Sequence, residues 1–323
     1  MHLTRRAALA AAALVPAGAA RAQAWPSRPI RWIVGYPPGG GTDVLARLVG
    51  AAMSARLGQP VVVENRPGAA TNLAAQAAAT AEPDGHTVFT AGNETLVFNP
   101  VLYRSLGYEP DRDLRLLGLM ARFHLVLAVR PSSEARSGAD LLARVRANPG
   151  RVDFGTPGVG SPHHVAMERL GSDLGLRFNH VPYRGMAPVM NDLMAGTVEA
   201  AVVDMAAGGP LLREGRIRPL AVLSPAPIGP LPGVPIADQA LGTRGFSAFA
   251  WQGLTAPART PDAVAARLSA TLAEAVADPA VQARMGEIGL EPLPGGPAEH
   301  RAMLDAERAV VWPVLRALDL RLD

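Results

Sequence analysis

The sequence predicts an α/β protein made of two units, each a mostly parallel sheet flanked by helices. Three observations carry that reading. Short apolar, β-branched runs alternate with segments of helical period along most of the chain. A length of 323 residues suits about two domains. Apolar residues make up 49 % and charged residues 18 %, a balance that builds a sizeable core and argues against disorder.

Met1 to Ala24 read as an export signal. Arg5 and Arg6 form a positive start, Ala7 to Ala20 is apolar but short for a membrane span, and Ala22-Gln23-Ala24 is a small-x-small cleavage site. The stretch Thr4-Arg5-Arg6-Ala7-Ala8-Leu9 is similar to a twin-arginine signal, with the general secretory route as the alternative. Cleavage after Ala24 removes three arginines and no acids, which leaves 28 bases against 28 acids. The net charge of +3 therefore gives no argument for nucleic acid, and no basic stripe with interleaved aromatics exists.

The first unit begins with a strand at Ile30–Tyr36 that ends in the turn cluster Pro37 to Gly41. Thr42 is placed to cap a helix, Asp43 suits its first turn, and Gly58 and Pro60 stop it. A strand at Val61–Glu64, an alanine-rich helix at Thr71–Ala81 and a strand at His86–Ala91 complete a β-α-β-α-β series. The second unit holds strands at Leu125–Val129, Val152–Thr156, His180–Val181, Val198–Asp204 and Ile217–Leu223. Helices at Ala139–Ala147, Ser161–Leu170 and Ala187–Ala195 lie between them. Ala248–Thr255 reads as a strand returning to the first unit, and two helices follow, after Thr260-Pro261 and from Pro297 to about Leu318.

The chain has no cysteine and no lysine. That excludes disulfides, thiolate metal sites, a Walker-type lysine, a Schiff base and a Ser-Lys dyad. The adjacent pair His163 and His164 cannot converge on one zinc ion from a helix. No metal or cofactor is expected.

In open parallel sheets ligands bind beyond the carboxyl ends of the strands. The segments at those ends are Pro37–Asp43, Gly92–Thr95, Gly158–His164, Pro182–Gly185 and Asp204. Gly39, Gly40 and Gly41 allow close backbone approach, and the helix start behind them suits a carboxylate or phosphate; an ordinary capped turn has the same pattern. Neither G-x-x-x-x-G-K-[ST] nor G-x-G-x-x-G occurs there, which leaves a small anion. Ser161 can cap its helix or share that helix's N-terminal field with a ligand oxygen. One of His163 and His164 faces the site and the other the surface. Tyr183 and Arg184 form a turn in which the arginine can grip a carboxylate or stay solvated, and Asp204 is either a cap or a ligand acceptor.

Ile30 through Asp43, reading IRWIVGYPPGGGTD, resembles the first strand and loop of the Bug (TctC-like) family, the extracytoplasmic solute receptors of tripartite tricarboxylate transporters. Leu57 to Ala69 (LGQPVVVENRPGA), Pro83 to Thr87 (PDGHT), Asn99 to Tyr103 (NPVLY), His180 to Gly185 (HVPYRG) and Leu231 to Pro235 (LPGVP) are similar to further family segments. Together the matches run from Trp25 to Asp323.

The resemblance implies a two-lobed periplasmic binding protein fold of type II. Lobe 1 would span residues 25–126 and 247–323, and lobe 2 residues 127–246. It implies a small carboxylate held by Gly39, Gly40, Thr42, Asp43, Ser161 and His164, with Tyr183, Gly185 and Asp204 as second choices. Asn93 and Glu94 join them from the third-strand loop; Glu94 is a departure that disfavours a dicarboxylate and favours a ligand with a cation or hydroxyl. The implied protein is a periplasmic monomer that docks transiently on membrane transporter subunits and carries no catalytic residue. A solute sensor is the alternative. A hydrolase using Ser161 and His164 is opposed by Pro162, which has no N–H for an oxyanion hole.

Overall fold

The computed structural model describes residues 25–317 and 322, so the export-signal reading lies outside the described residues. In chain order the strands are β1 (Ile30–Val34), β2 (Val61–Asn65), β3 (Thr87–Gly92), β4 (Leu114–Val129) and β5 (Asp153–Thr156). They continue as β6 (Asn179–Pro182), β7 (Ala200–Asp204), β8 (Arg218–Val222), β9 (Phe249–Pro257) and β10 (Leu290–Gly295).

One strand organises the molecule. The 16-residue β4 is apolar almost throughout, as a strand buried on both faces should be. Its first part, up to His124, pairs with β9 and β10. From Leu125 onward it pairs with β7 and β8. The return crossing sits beside it: the Ala248 N–H donates to Leu223 O, whereas Phe249 already pairs with His124. Two lobes result, with strand orders β2-β1-β3-β9-β4-β10 and β8-β4-β7-β5-β6.

Each sheet is less uniformly parallel than the sequence pattern implies. The outer pairs β1/β2, β1/β3, β5/β6 and β5/β7 are parallel. Every pair made by β4 or β9 is antiparallel, because those strands carry the chain between lobes rather than around a helix.

Helices cover both faces of both sheets. In lobe 1 the helices Gly41–Leu57 and Asp262–Ala277 pack on one face around Trp32, Met53 and Leu117. The helices Asn72–Ala79 and Pro297–Ala317 pack on the other face around Ile33, Phe89 and Trp251. In lobe 2 the strand alternation divides β4 between two cores, with Leu125, Leu127 and Val129 in one and Val126 and Ala128 in the other. Among the described residues no helix is long and apolar enough to cross a membrane.

Several elements exceed the sequence reading. The first part of β4, the helices Met205–Arg213 and Pro279–Glu287, and β10 were not expected. Met205–Arg213 contains Gly208, Gly209 and Pro210, residues of low helix propensity. Its Asp204 cap and its packing on β4 and β7 hold it instead.

Candidate functional site

The strand β1 runs into the glycine loop, and Gly39 takes a backbone φ of +81° that favours glycine. The helix that follows starts at Gly41 with Gly40 as its N-cap, and no side chain caps it. Thr42, expected at the cap, lies inside the first turn and is buried. The glycines let the helix begin earlier, and its first N–H groups keep no side-chain acceptor at the cap.

Asp43 is turned inward. Its carboxylate accepts from the Gly39 N–H at 2.9 Å, from Asn65 Nδ2 at 2.9 Å and from Arg47 Nε at 3.0 Å. Burial by itself would raise this carboxyl, but those donors outweigh it and hold it below its ordinary value. Asp43 therefore shapes the loop from within lobe 1. Asp43→Ala is expected to weaken carboxylate binding by about tenfold without removing a ligand contact, because a positioned loop loses its anchor. Titration calorimetry, with amide exchange at Gly39 and Gly40 as the loop readout, checks this.

Beyond β3, Asn93 and Glu94 diverge. Asn93 Oδ1 accepts from the Trp251 N–H at 2.8 Å, and its Nδ2 donates to Phe249 O at 3.3 Å and to Glu307 Oε1. Its polar atoms are thus committed to β9 and the C-terminal helix. Glu94 opens a short π-helical turn, Glu94–Phe98, and accepts at 2.8 Å from the Tyr36 hydroxyl at the end of β1. Burial pushes its carboxyl up to about 7, with the Tyr36 hydrogen bond and His163 pulling the other way.

In lobe 2, Ser161 caps the helix Pro162–Leu174 by accepting from the His164 N–H at 3.3 Å. The two histidines that follow point apart, and neither is on the surface. His164 is drawn into lobe 2. Its Nδ1 accepts from the Gly160 N–H at 3.1 Å, its Nε2 lies 3.4 Å from Glu168, and its ring stacks on His180 with centroids 3.9 Å apart. Burial first, and His164 second, lower His180 to about 3. With both ring nitrogens of His164 so placed, it is no base for Ser161, and the hydrolase alternative has no dyad.

His163 faces the other lobe. Its Nε2 lies 3.4 Å from Asp204 Oδ2, and it acts electrostatically on Glu94. Asp204 has two roles: Oδ1 caps the next helix by accepting from the Ala207 N–H at 2.9 Å, while Oδ2 meets His163. Burial opposes ionisation of Asp204, yet His163 and the backbone donors keep its carboxyl lowered. Tyr183 donates to Asp192 at 2.6 Å, and Gly185 donates to Pro157 O at 3.0 Å, so this turn lies beside the Ser161 loop.

A cluster from both lobes emerges: Tyr36, Glu94 and Gln252 from lobe 1, His163 and Asp204 from lobe 2. Tyr36 and Gln252 are not singled out by the sequence, which leaves open whether His163 or His164 faces the site and names His164 as the ligand contact. A polar residue in the apolar run of β9 was the signal available for Gln252. The glycine loop adjoins the cluster, since a Cβ on Gly41 would lie 3.0 Å from Ala206 Cβ, two residues past Asp204. Among the described residues no group of three or more His, Asp or Glu is placed to hold a metal ion.

Two sheet-and-helix lobes joined by crossing strands, with polar groups meeting between them at strand ends, define a solute-binding protein. The chain belongs to the tripartite tricarboxylate transporter receptor family, TctC, whose sequence model matches residues 45–319. It is 36 % identical over 301 residues to a UPF0065 protein from the tcbD-tcbE intergenic region of Pseudomonas sp. strain P51, covering 92 % of this chain and 89 % of that one. Its fold matches the Rhodopseudomonas palustris protein Rpa4515 with adipate at a TM-score of 0.85 and 33 % identity, covering 90 % and 97 % of the two chains. It matches MatC of the same organism with bound malate at 0.82 and 29 % identity, covering 90 % and 100 %. The family model is that of a transporter receptor, and the two Rhodopseudomonas palustris proteins hold adipate and malate as ligands.

Proposed function

We propose that this protein captures a small organic acid between its lobes, in the periplasm after export, and delivers it to the membrane subunits of a tripartite tricarboxylate-type transporter. The observation that carries the reading is the meeting of polar side chains from both lobes beside a glycine loop whose helix start has no side-chain cap. Such a helix start favours a carboxylate through its N–H groups and dipole. Adipate and malate, bound by the two relatives, are both small carboxylates.

In this reading the lobe boundaries lie two residues from the sequence expectation of 126/127 and 246/247, because Leu125 and Val126 pair with β7 and β8 and Ala248 with Leu223: lobe 1 comprises residues 25–124 and 249–323, lobe 2 comprises 125–248, and the monomer bends where β4 and the chain before β9 cross. Gly39, Gly40 and Thr42 receive the carboxylate from lobe 1, and Ser161, Tyr183 and Gly185 close on it from lobe 2. Solute shifts the population toward the closed form because only that form contacts it from both sides.

A thermal-shift screen of mono-, di- and tricarboxylates against their amides tests this. An acid is expected to raise the melting midpoint with the logarithm of its concentration, and its amide is not. Equal shifts from the amides, or shifts from uncharged solutes only, would overturn the reading.

A further inference from the structure

We propose that the solute carries an ammonium group opposite its carboxylate, and that Glu94, Asp204 and Gln252 receive it. This deepens the carboxylate reading above and rests on it.

The argument is one of charge and unmet hydrogen bonding. Glu94 and Asp204 approach from opposite lobes, and His163 is the cationic-capable side chain that acts on both. His163 pairs with Asp204 at 3.4 Å and acts on Glu94 only through space. Gln252 is 4 % exposed, and its Oε1 is buried with no hydrogen-bond partner. Its Nε2 makes only a 3.5 Å contact with the Tyr36 hydroxyl, which itself donates to Glu94. His163 is 7 % exposed; its Nδ1 has no hydrogen-bond partner, and its Nε2 has only the 3.4 Å contact with Asp204.

A second ligand carboxylate placed here would meet two acids in a poorly solvated site, where like-charge repulsion is strong. An ammonium has the opposite fit. It offers three donors and no acceptor, and it neutralises charge that burial makes costly. The glycine loop beside Ala206 is left for the solute's carboxylate, so both ends fit one small molecule.

The proton balance gives the test its sign. The titratable groups acting on Glu94 are Tyr36 from the end of β1, Tyr108 from the segment before Pro110, and His163 with Asp204 behind it from lobe 2. Both tyrosines are held above their ordinary range by burial and stay neutral. Glu94 near 7 is largely protonated in mildly acidic solution, and an ammonium must displace that proton. Affinity then rises with pH by up to about tenfold per unit and levels off above about 7. A second carboxylate would instead need the neutral acid as donor, and its affinity would fall as pH rises through the same range.

Titration calorimetry on matched pairs decides the matter: succinate against β-alanine, glutarate against γ-aminobutyrate, adipate against δ-aminovalerate. In at least one pair the amino acid is expected to bind tenfold or more tightly, with the rising pH profile and with proton release in buffers of differing ionisation enthalpy. Glu94→Gln, of the same shape, is expected to remove the preference and the slope. Equal or tighter binding of the dicarboxylates, or a preference that survives Glu94→Gln, overturns the inference and leaves the carboxylate reading standing. Failure of every member of both series to bind overturns the inference, and the carboxylate reading is then decided by the thermal-shift screen.

Discussion

Asn93→Ala is expected to lower the unfolding free energy by about 3 kcal/mol while changing solute affinity less than about threefold. The side chain bonds the Trp251 N–H, the Phe249 carbonyl and Glu307 in a buried setting. Truncation leaves the Trp251 N–H without an acceptor, and a buried unpaired donor costs more than the bond itself contributed. Glu307 suffers as well. Burial pushes its carboxyl up to about 7, opposed by donors from Trp251 and Asn93. A buried acid raised in the folded state weakens folding as pH climbs from its ordinary value toward the raised one. Without Asn93 that decline should extend to higher pH. Denaturant unfolding of wild type and variant between about pH 5 and 8 measures both effects. A loss of affinity at unchanged stability would make Asn93 a ligand contact instead.

Gly41→Val is expected to reduce solute affinity tenfold or more, with a smaller loss of stability in the free protein. A Cβ at this position would lie 3.0 Å from Ala206 Cβ in lobe 2 and 3.0 Å from Phe123 Cε1 in β4. Valine adds two methyl groups beyond that point, and overpacking of this kind costs about 1–3 kcal/mol. Opening of the lobes relieves the clash with Ala206 but not that with Phe123 in the same lobe, so the larger penalty falls on the closed, solute-bound form and a smaller one on both forms. Gly41→Ala should give a smaller loss, since a few tenths of an ångström of movement accommodates one methyl. Calorimetry across the two variants, with small-angle scattering to follow closure, checks the ordering. Equal affinity in all three proteins would show that binding does not require this contact.

Much of the fold was legible because it is written in local pattern. The glycine turn after β1, the stop at Gly58, the Ser161 cap and the returning strand near Ala248 each depend on residues close in the chain. The long β4 was only half read. Its first part carries Arg115, Gly118 and Arg122 among apolar residues, and it becomes a strand by pairing with β9 and β10, far away in sequence. The helix after Asp204 was missed for the converse reason, a weak local signal overruled by packing.

The candidate site divides in the same way. Sequence by itself determined the strand-end loops, the absence of lysine and cysteine chemistry, and the presence of an extra acid at Glu94. It could not choose between His163 and His164, because adjacent helix residues differ by about 100° in direction and only the neighbours decide which way is inward. It assigned Asp43 and Asn93 to the ligand because polar residues beside glycine loops look available, while in the fold they are consumed by Gly39, Asn65, Trp251 and Glu307. Tyr36 reaches Glu94 within lobe 1 and Gln252 reaches Tyr36 from β9, while His163 and Asp204 come to the same side only through the crossing of β4 and β9 between the lobes. Local sequence sets which groups stand at each strand end; the partners they find, and hence their protonation and their role, are set largely by contacts between segments from tens to more than two hundred residues apart.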